Sequence, residues 1–192
     1  MAQRVLGQEK VMRQNLDSSL ALLARTPASL DALLRGLPDA WTLRNEGDGT
    51  WTVRDVVAHL ADLERTDWMP RVQRLLDCGE TRAFDPVDRQ AFRRNARGKS
   101  MARLLGEFAR RRQKNLRDLR TLKLTAPDFG RRGQHPSLGR VTLAELLAAW
   151  TVHDLTHLHQ ITRILAHQYR QATGPWERYL GVLQCNGHSA SA

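Results

Sequence analysis

Two imidazoles four residues apart, His153 and His157 in the run Trp150-Thr-Val-His-Asp-Leu-Thr-His-Leu-His-Gln-Ile161, carry the plainest chemical signal in the chain. A helix turns about 100° per residue, so positions i and i+4 lie one above the other on a single face. With Leu146 taken as zero, Trp150, His153, His157, Gln160 and Ile164 all fall within about 40° of it. The two histidines therefore interrupt an apolar stripe, where a polar ring needs a partner. A divalent transition metal that takes one nitrogen from each ring meets that need, with the other nitrogen held by a hydrogen-bond acceptor; a hydrogen-bonded core histidine is the alternative. His159 points to the far side of the same wheel, and His135 and His188 lie in turn-like and tail-like sequence.

A third ligand candidate comes from Trp51-Thr-Val-Arg-Asp-Val-Val-Ala-His-Leu-Ala-Asp-Leu-Glu64. Thr52 followed by Asp55 reads as a helix N-cap, and Val53, Val56, Val57, Leu60 and Leu63 supply the stripe. His59 falls at the edge of that stripe, from which it can face a neighbouring helix. Asp62, one turn further on, is expected to orient the His59 ring from outside the ligand set, unless it is an ordinary exposed carboxylate. Asp154 rather than Glu follows His153, so the H-E-x-x-H arrangement of zinc peptidases is disfavoured.

The elements that must hold these side chains read as helices. The first spans roughly residues 5 to 25, is interrupted by Thr26-Pro27-Ala-Ser29, and continues as a shorter segment ending near Gly36-Leu-Pro38. Residues 38 to 51 form a turn-rich loop; the second helix runs from about Val53 to Asp77, with Pro70 a possible point of disturbance. Residues 78 to 98 make a long crossover, and the third helix covers about Ser100 to Leu122. Thr125 to Arg140, with three glycines and two prolines, reads as a loop. Thr142-Leu-Ala-Glu145 is a capping-box match that opens the fourth helix toward Tyr169, and Gly174-Pro-Trp176 starts a short terminal helix. No strand alternation stands out.

On the third helix, Leu104, Leu105, Phe108, Leu116, Leu119 and Leu122 share a face with Arg112 and Asn115, all within about 60° of Met101. A cation in mid-stripe implies a polar pocket at mid-bundle, because a buried Arg is costly unless paired. Arg112, Asn115 and Gln160 are accordingly expected to line a substrate cavity beside the metal. Otherwise Arg112 reaches a bundle edge, or pairs structurally with Asp62 or Glu64.

Length and charge bound the rest. A chain of 192 residues with 41% apolar content can bury one core, so a single domain over 1–192 is expected. No run is long and apolar enough to span a membrane, and no signal-type segment opens the chain, which leads us to expect a cytoplasmic protein. Cys78 and Cys185 lack metal-type spacing. The net charge is +10; residues 82–132 hold 16 Lys+Arg against 5 Asp+Glu, and the remainder 14 against 15, so the whole excess is regional. Such a surface suits an anionic substrate, nucleic acid or an acidic partner, although aromatic residues for base stacking are sparse there and nucleic acid is not favoured.

Taken in order, the Trp51–Glu64 segment, the Gly139-Arg-Val-Thr-Leu-Ala-Glu junction, His153-Asp-Leu-Thr-His157-Leu-His-Gln and Gly174-Pro-Trp resemble the DinB-like family of metal-dependent proteins, over nearly the whole chain. The resemblance implies an all-α, up-down-down-up four-helix bundle, with a long crossover between helices 2 and 3 and a short C-terminal helix. It also implies a divalent metal held by His59, His153 and His157, and a homodimer. Its known activities imply transfers or isomerisations that use a low-molecular-weight thiol. The expected function is therefore metal-dependent chemistry, of thiol-transferase or hydrolase type, on a small electrophilic substrate. Zn, Ni and Fe suit imidazole ligands alike. A non-catalytic metal-containing module, whose basic 82–132 region contacts nucleic acid or an acidic partner, is the competing expectation. Val152, Leu155 and Thr162 lie opposite the histidine stripe with His159, and are the expected dimer face.

Overall fold

Three of the four helices that build the bundle start on a hydroxyl cap. Thr52 and Thr142 each accept from the backbone N–H three residues on, while Asp55 and Glu145 return a bond to the cap's own N–H, and Ser100 accepts from the N–H of Arg103. In the computed structural model, residues 2–88 and 90–185 are described, and their side chains from Leu16 onward. The elements are α1 (Ala2–Leu34), α2 (Asp39–Thr42), α3 (Val53–Thr66), α4 (Trp68–Cys78), α5 (Ala91–Ala96), α6 (Met101–Thr121), α7 (Ala126–Phe129), β1 (Arg132–His135), β2 (Gly139–Thr142), α8 (Leu143–His167), a 3-10 helix (Gly174–Tyr179) and α9 (Gly181–Gln184).

Cross-helix contacts give the direction of each element. Arg54 bonds to the carbonyls of Ala96 and Lys99, Arg111 to that of Ala61, and Asn115 to Glu64, so α3 and α6 run parallel. Leu20 and Leu23 share a cluster with Leu116, Leu119, Leu143 and Leu146, whereas Leu30 and Leu34 share another with Leu104, Leu105, Ile161 and Ile164. Hence α1 is antiparallel to α6 and parallel to α8. The order is up-down-down-up, as expected, and the crossover 79–100 is long because two parallel helices cannot be joined by a tight turn. Around the bundle the neighbours are α1–α6, α6–α3, α3–α8 and α8–α1, which leaves α6 and α8 diagonal to each other. Among the described residues no helix is long and apolar enough to cross a membrane.

The two apolar clusters sit at opposite ends of the bundle. Between them lies a buried polar layer of Glu64, Arg112, Asn115, Asp154 and His157. That layer is what the stripe-interrupting residues build together.

Three local expectations are corrected, and the disturbance expected from Pro70 is located. Helix α1 does not break at Thr26-Pro27: it runs through Pro27 to Leu34. Proline lacks the N–H that would bond to the carbonyl four residues back, Leu23, and that carbonyl instead accepts from the Arg112 guanidinium at 2.9 Å. The second helix splits at Asp67, where ψ is −69° and φ −119°. Pro70 is the cause, because it removes a bond to the Thr66 carbonyl and its ring crowds that carbonyl. The crossover contains a helix of its own, α5, whose buried Phe92 and Ala96 dock on α3. Finally, 125–140 is not a structureless loop. It holds α7 and, continuing to Thr142, an antiparallel hairpin that pairs Arg132 with Thr142 and His135 with Gly139. Four-residue strands give too little alternation to read, and Gly133 is tightly packed: a Cβ there would meet Leu75 and Phe84 at 3.1 Å, so those side chains would have to shift. The hairpin ends on Thr142, and so fixes where α8 begins.

Candidate metal centre

His59 from α3 and His153 and His157 from α8 converge on one point. His153 Nε2 lies 3.2 Å from His59 Nε2 and 3.1 Å from His157 Nε2, and the potential ligand atoms of all three are within 4.8 Å of one another. Three nitrogens bound to one ion at about 2.0–2.2 Å sit about 3.0–3.4 Å apart, depending on the coordination angle, so this spacing fits one cation capped from one side. The antiparallel crossing of α3 and α8 brings the rings together; Val56, Val57, Leu60 and Ile161, all buried, press the two helices close on one side of them.

Three nitrogens in van der Waals reach cannot all carry protons. Burial, then the neighbouring His157, pushes His59 down to about 3; burial, then His157, His59 and Arg112, pushes His153 down to about 2. Burial also lowers His157, opposed by the Gln160 hydrogen bond and the Asp154 charge. All three rings are therefore neutral at pH 7, the state in which imidazole offers a lone pair to a metal. His157 Nδ1 lies 2.7 Å from Gln160 Oε1, an acceptor, so Nδ1 carries the proton and the Nε2 lone pair is free to point into the site. His153 Nδ1 is buried with no partner. The walls are aromatic: Trp51 lies 4.9 Å from His59 and is stacked 6.1 Å from His157, Phe92 is 5.5 Å from His59, and Trp68 meets His153 edge-on at 5.1 Å.

The other site expectations fare differently. Asp62 does not orient His59; its carboxylate accepts from Arg65 and Asn95, on the side of α3 turned toward the crossover. Arg112 and Asn115 do face inward, but the donors on their terminal nitrogens are taken up by protein acceptors rather than left for a substrate, and only the Arg112 Nε–H has no partner. The two terminal nitrogens of Arg112 donate to Asp154 (2.5 and 2.9 Å), to Glu64 (2.7 Å) and to the Leu23 carbonyl, and Asn115 donates to the Glu64 carbonyl (2.6 Å) and carboxylate (3.0 Å). The structural pairing with Glu64 therefore prevails. Gln160 is at the site, but as the partner of His157 rather than a free substrate contact.

Asp154, Glu64 and the aromatic walls were missed as functional groups. Glu64 was detectable: it lies about 20° from Val53 on the α3 wheel, inside the apolar stripe, where a carboxylate needs cationic partners. Besides Arg112, seven cations of the basic region are paired within the fold among the described residues, although most of their acidic partners belong to the same region and its charge surplus remains. Glu107 alone gathers Lys99, Arg103 and Arg111, and Arg93, Arg94, Lys114 and Arg131 pair with Asp55, Asp88, Asp118 and Asp128.

The Gln160 bond leads to a prediction. Gln160→Leu should weaken Zn(II) binding by about 10- to 100-fold, the usual cost of losing a ligand's outer hydrogen bond, and Gln160→Glu, which also accepts, should restore it. Competition titration against a chromophoric chelator measures both; equal affinity in the leucine variant would remove Gln160 from the site.

Comparison with known proteins places the chain in a family and agrees with its fold. The profile of the DinB superfamily matches residues 22–161, a span that includes all three histidines. YfiT of Bacillus subtilis (strain 168) is 28% identical over 158 residues, 81% of this chain and 87% of YfiT. The solved structure of YfiT, described as a probable metal-dependent hydrolase with an unusual four-helix bundle topology, superposes with a TM-score of 0.68 over 82% of this chain and 87% of that one. TT2238, a four-helix bundle protein, matches at 24% identity with a TM-score of 0.54, over 77% of this chain and 98% of that one, and shares the fold.

Proposed function

Starting from the fact that this chain belongs to the DinB superfamily, we propose that it is a divalent-metal-dependent hydrolase acting on a small electrophilic substrate, with His59, His153 and His157 as the metal ligands. The observation that carries this reading is the convergence of three neutral imidazoles, with His153 Nε2 at 3.2 Å from His59 Nε2 and 3.1 Å from His157 Nε2 and the His157 tautomer fixed by Gln160. Three neutral ligands leave a bound divalent cation its full charge and open positions, so that it can polarise an electrophile and lower the pKa of a bound water or thiol. The chain's own residues do the rest. Gln160 keeps the His157 proton on Nδ1, and Trp51, Phe92 and Trp68 surround the rings with apolar surface, which limits access of bulk water and favours an apolar portion of the substrate.

The test is turnover of a panel of activated esters, amides and alkyl halides by protein loaded with Zn(II), Ni(II) or Fe(II). Activity should fall to background on chelation and in His153→Ala. Product formation that requires and consumes a low-molecular-weight thiol would identify the nucleophile as thiol rather than water. Salt-sensitive binding of DNA with no metal-dependent turnover would instead favour a binding module.

We further propose a homodimer packed on the outer face of α8, where Val152 (59% exposed) and Leu155 (45% exposed) lie beside exposed His159 and Thr162. Light scattering should return about twice the 21.8 kDa chain mass, and Leu155→Glu should shift it toward the monomer. A monomer mass for the unaltered protein contradicts the assembly.

A further inference from the structure

The Arg112 cluster is hard to explain as a source of stability. A buried ion cluster contributes about as much as well-packed apolar residues of the same volume, and often less. Yet this one is extensively bonded, with only the Arg112 Nε–H left without a partner. All four N–H groups on the terminal guanidinium nitrogens find acceptors on three different helices: Leu23 on α1, Glu64 on α3 and Asp154 on α8. The guanidinium itself lies between the Phe108 and Trp150 rings, 4.9 and 5.3 Å from their centroids. Glu64 is held again by Trp150 Nε1–H at 3.1 Å and by Asn115. The Leu23 carbonyl is available only because Pro27 cannot bond to it.

The placement of the acceptors relative to the histidines explains the design. On α3, Glu64 follows His59 by five residues; on α8, Asp154 is adjacent to His153, and Trp150 lies one turn before it. Tying Glu64 and Asp154 to one planar fork fixes α3 against α8 in both rotation and height, since a bidentate guanidinium–carboxylate pair tolerates little displacement. Arg112 does this from α6, across the bundle diagonal, so the tie passes through the centre of the fold. We propose that Arg112 is a positioning residue for the three-histidine site, with Glu64 and Asp154 as its two anchor points: the cluster holds His59 at capping distance from His153 and His157 before any metal arrives. The proposal rests on the metal reading above and adds to it the part of the fold that sets the affinity of the site. Loosening the tie lets the His59–His153 separation wander from 3.2 Å, and a site that must be reassembled on binding has lower affinity.

Two variants test this, Glu64→Gln/Arg112→Met/Asp154→Asn, which removes every charge of the cluster together, and Arg112→Lys, which keeps the charge and loses the fork. Both should keep a wild-type helical circular dichroism spectrum, and the triple variant should melt no lower than wild type without metal. Zn(II) affinity, by competition titration, should nevertheless fall about 10- to 100-fold in the triple variant, and measurably in Arg112→Lys. Wild-type affinity in either folded variant overturns the proposal, because a merely structural cluster would not separate affinity from stability. A metal-free readout keeps it separate from the metal reading. With Cys78 and Cys185 changed to Ser, spin labels at Arg65→Cys on α3 and Ala148→Cys on α8 should give a narrow distance distribution that broadens in both variants. Unchanged distributions overturn the positioning role even if the wild-type protein takes up no Zn(II); broadened ones sustain it while the metal reading alone fails.

Discussion

His153→Ala and His157→Ala are each expected to lower Zn(II) affinity by about 100- to 1,000-fold while leaving the helical fold intact. Complete zinc sites release roughly 10–16 kcal/mol at neutral pH, so one ligand of three or four accounts for several kcal/mol, and each 1.4 kcal/mol is a factor of ten. The fold should survive because neither ring belongs to the two apolar clusters: the rings contact one another, Gln160 and the aromatic walls. Thermal melts sharpen the point. The wild type should gain stability with added Zn(II) and lose that gain on chelation, whereas the alanine variants should show little of either. Equal metal-induced shifts in wild type and variants would place the ion elsewhere on the protein.

Arg112→Met alone should be among the most destabilising single changes in the molecule, by about 3–5 kcal/mol, because it strands the Glu64 and Asp154 carboxylates unpaired in the bundle centre. For a chain of this size that lowers the melting temperature by about 6–20 °C. The penalty should also depend on pH. Burial already raises the Glu64 carboxyl above its ordinary value against the pull of Arg112 and Asn115, and without Arg112 it rises further. A carboxyl whose folded pKa lies above its unfolded one favours the folded state at low pH and loses that contribution as pH rises through the folded value. The deficit of the variant relative to wild type should therefore be smaller at pH 5 than at pH 8. Chemical denaturation at the two pH values reads it, and a deficit that grows on acidification would show that the stranded carboxylates are not its source.

The helices were legible because they follow period-3.6 stripes and open on hydroxyl caps that the chain states locally, as at Thr52-x-x-Asp55 and Thr142-x-x-Glu145, while their up-down-down-up order was implied by the family resemblance. The stripes showed that His153 and His157 need polar partners and that His59 could face a neighbouring helix, whereas the joining of all three in one site was implied by the family resemblance. What the wheels could not supply was which polar groups meet. Arg112 could satisfy itself with a substrate or with carboxylates, and that choice depends on the height of α3 and α8 against α6, a tertiary quantity. Proline 27 shows the limit most clearly. Local rules end a helix there, but the guanidinium from a residue 85 positions away takes up the carbonyl that Pro27 leaves free, and α1 continues. The hairpin at 132–142 was hidden for a different reason, since its short strands are held by Gly133 packed under Leu75 and Phe84 and by the Phe84 N–H bond to Gln134.

The central claim is that His59, His153 and His157 hold one divalent cation. Anomalous scattering at the zinc edge from crystals of the untagged protein grown with Zn(II) tests it most directly. The account predicts a single strong peak per chain, bonded to the three Nε2 atoms at about 2.0–2.2 Å and absent from His153→Ala crystals grown in the same way. A peak bonded to other side chains, or no peak among the three rings at full Zn(II) saturation, would contradict it.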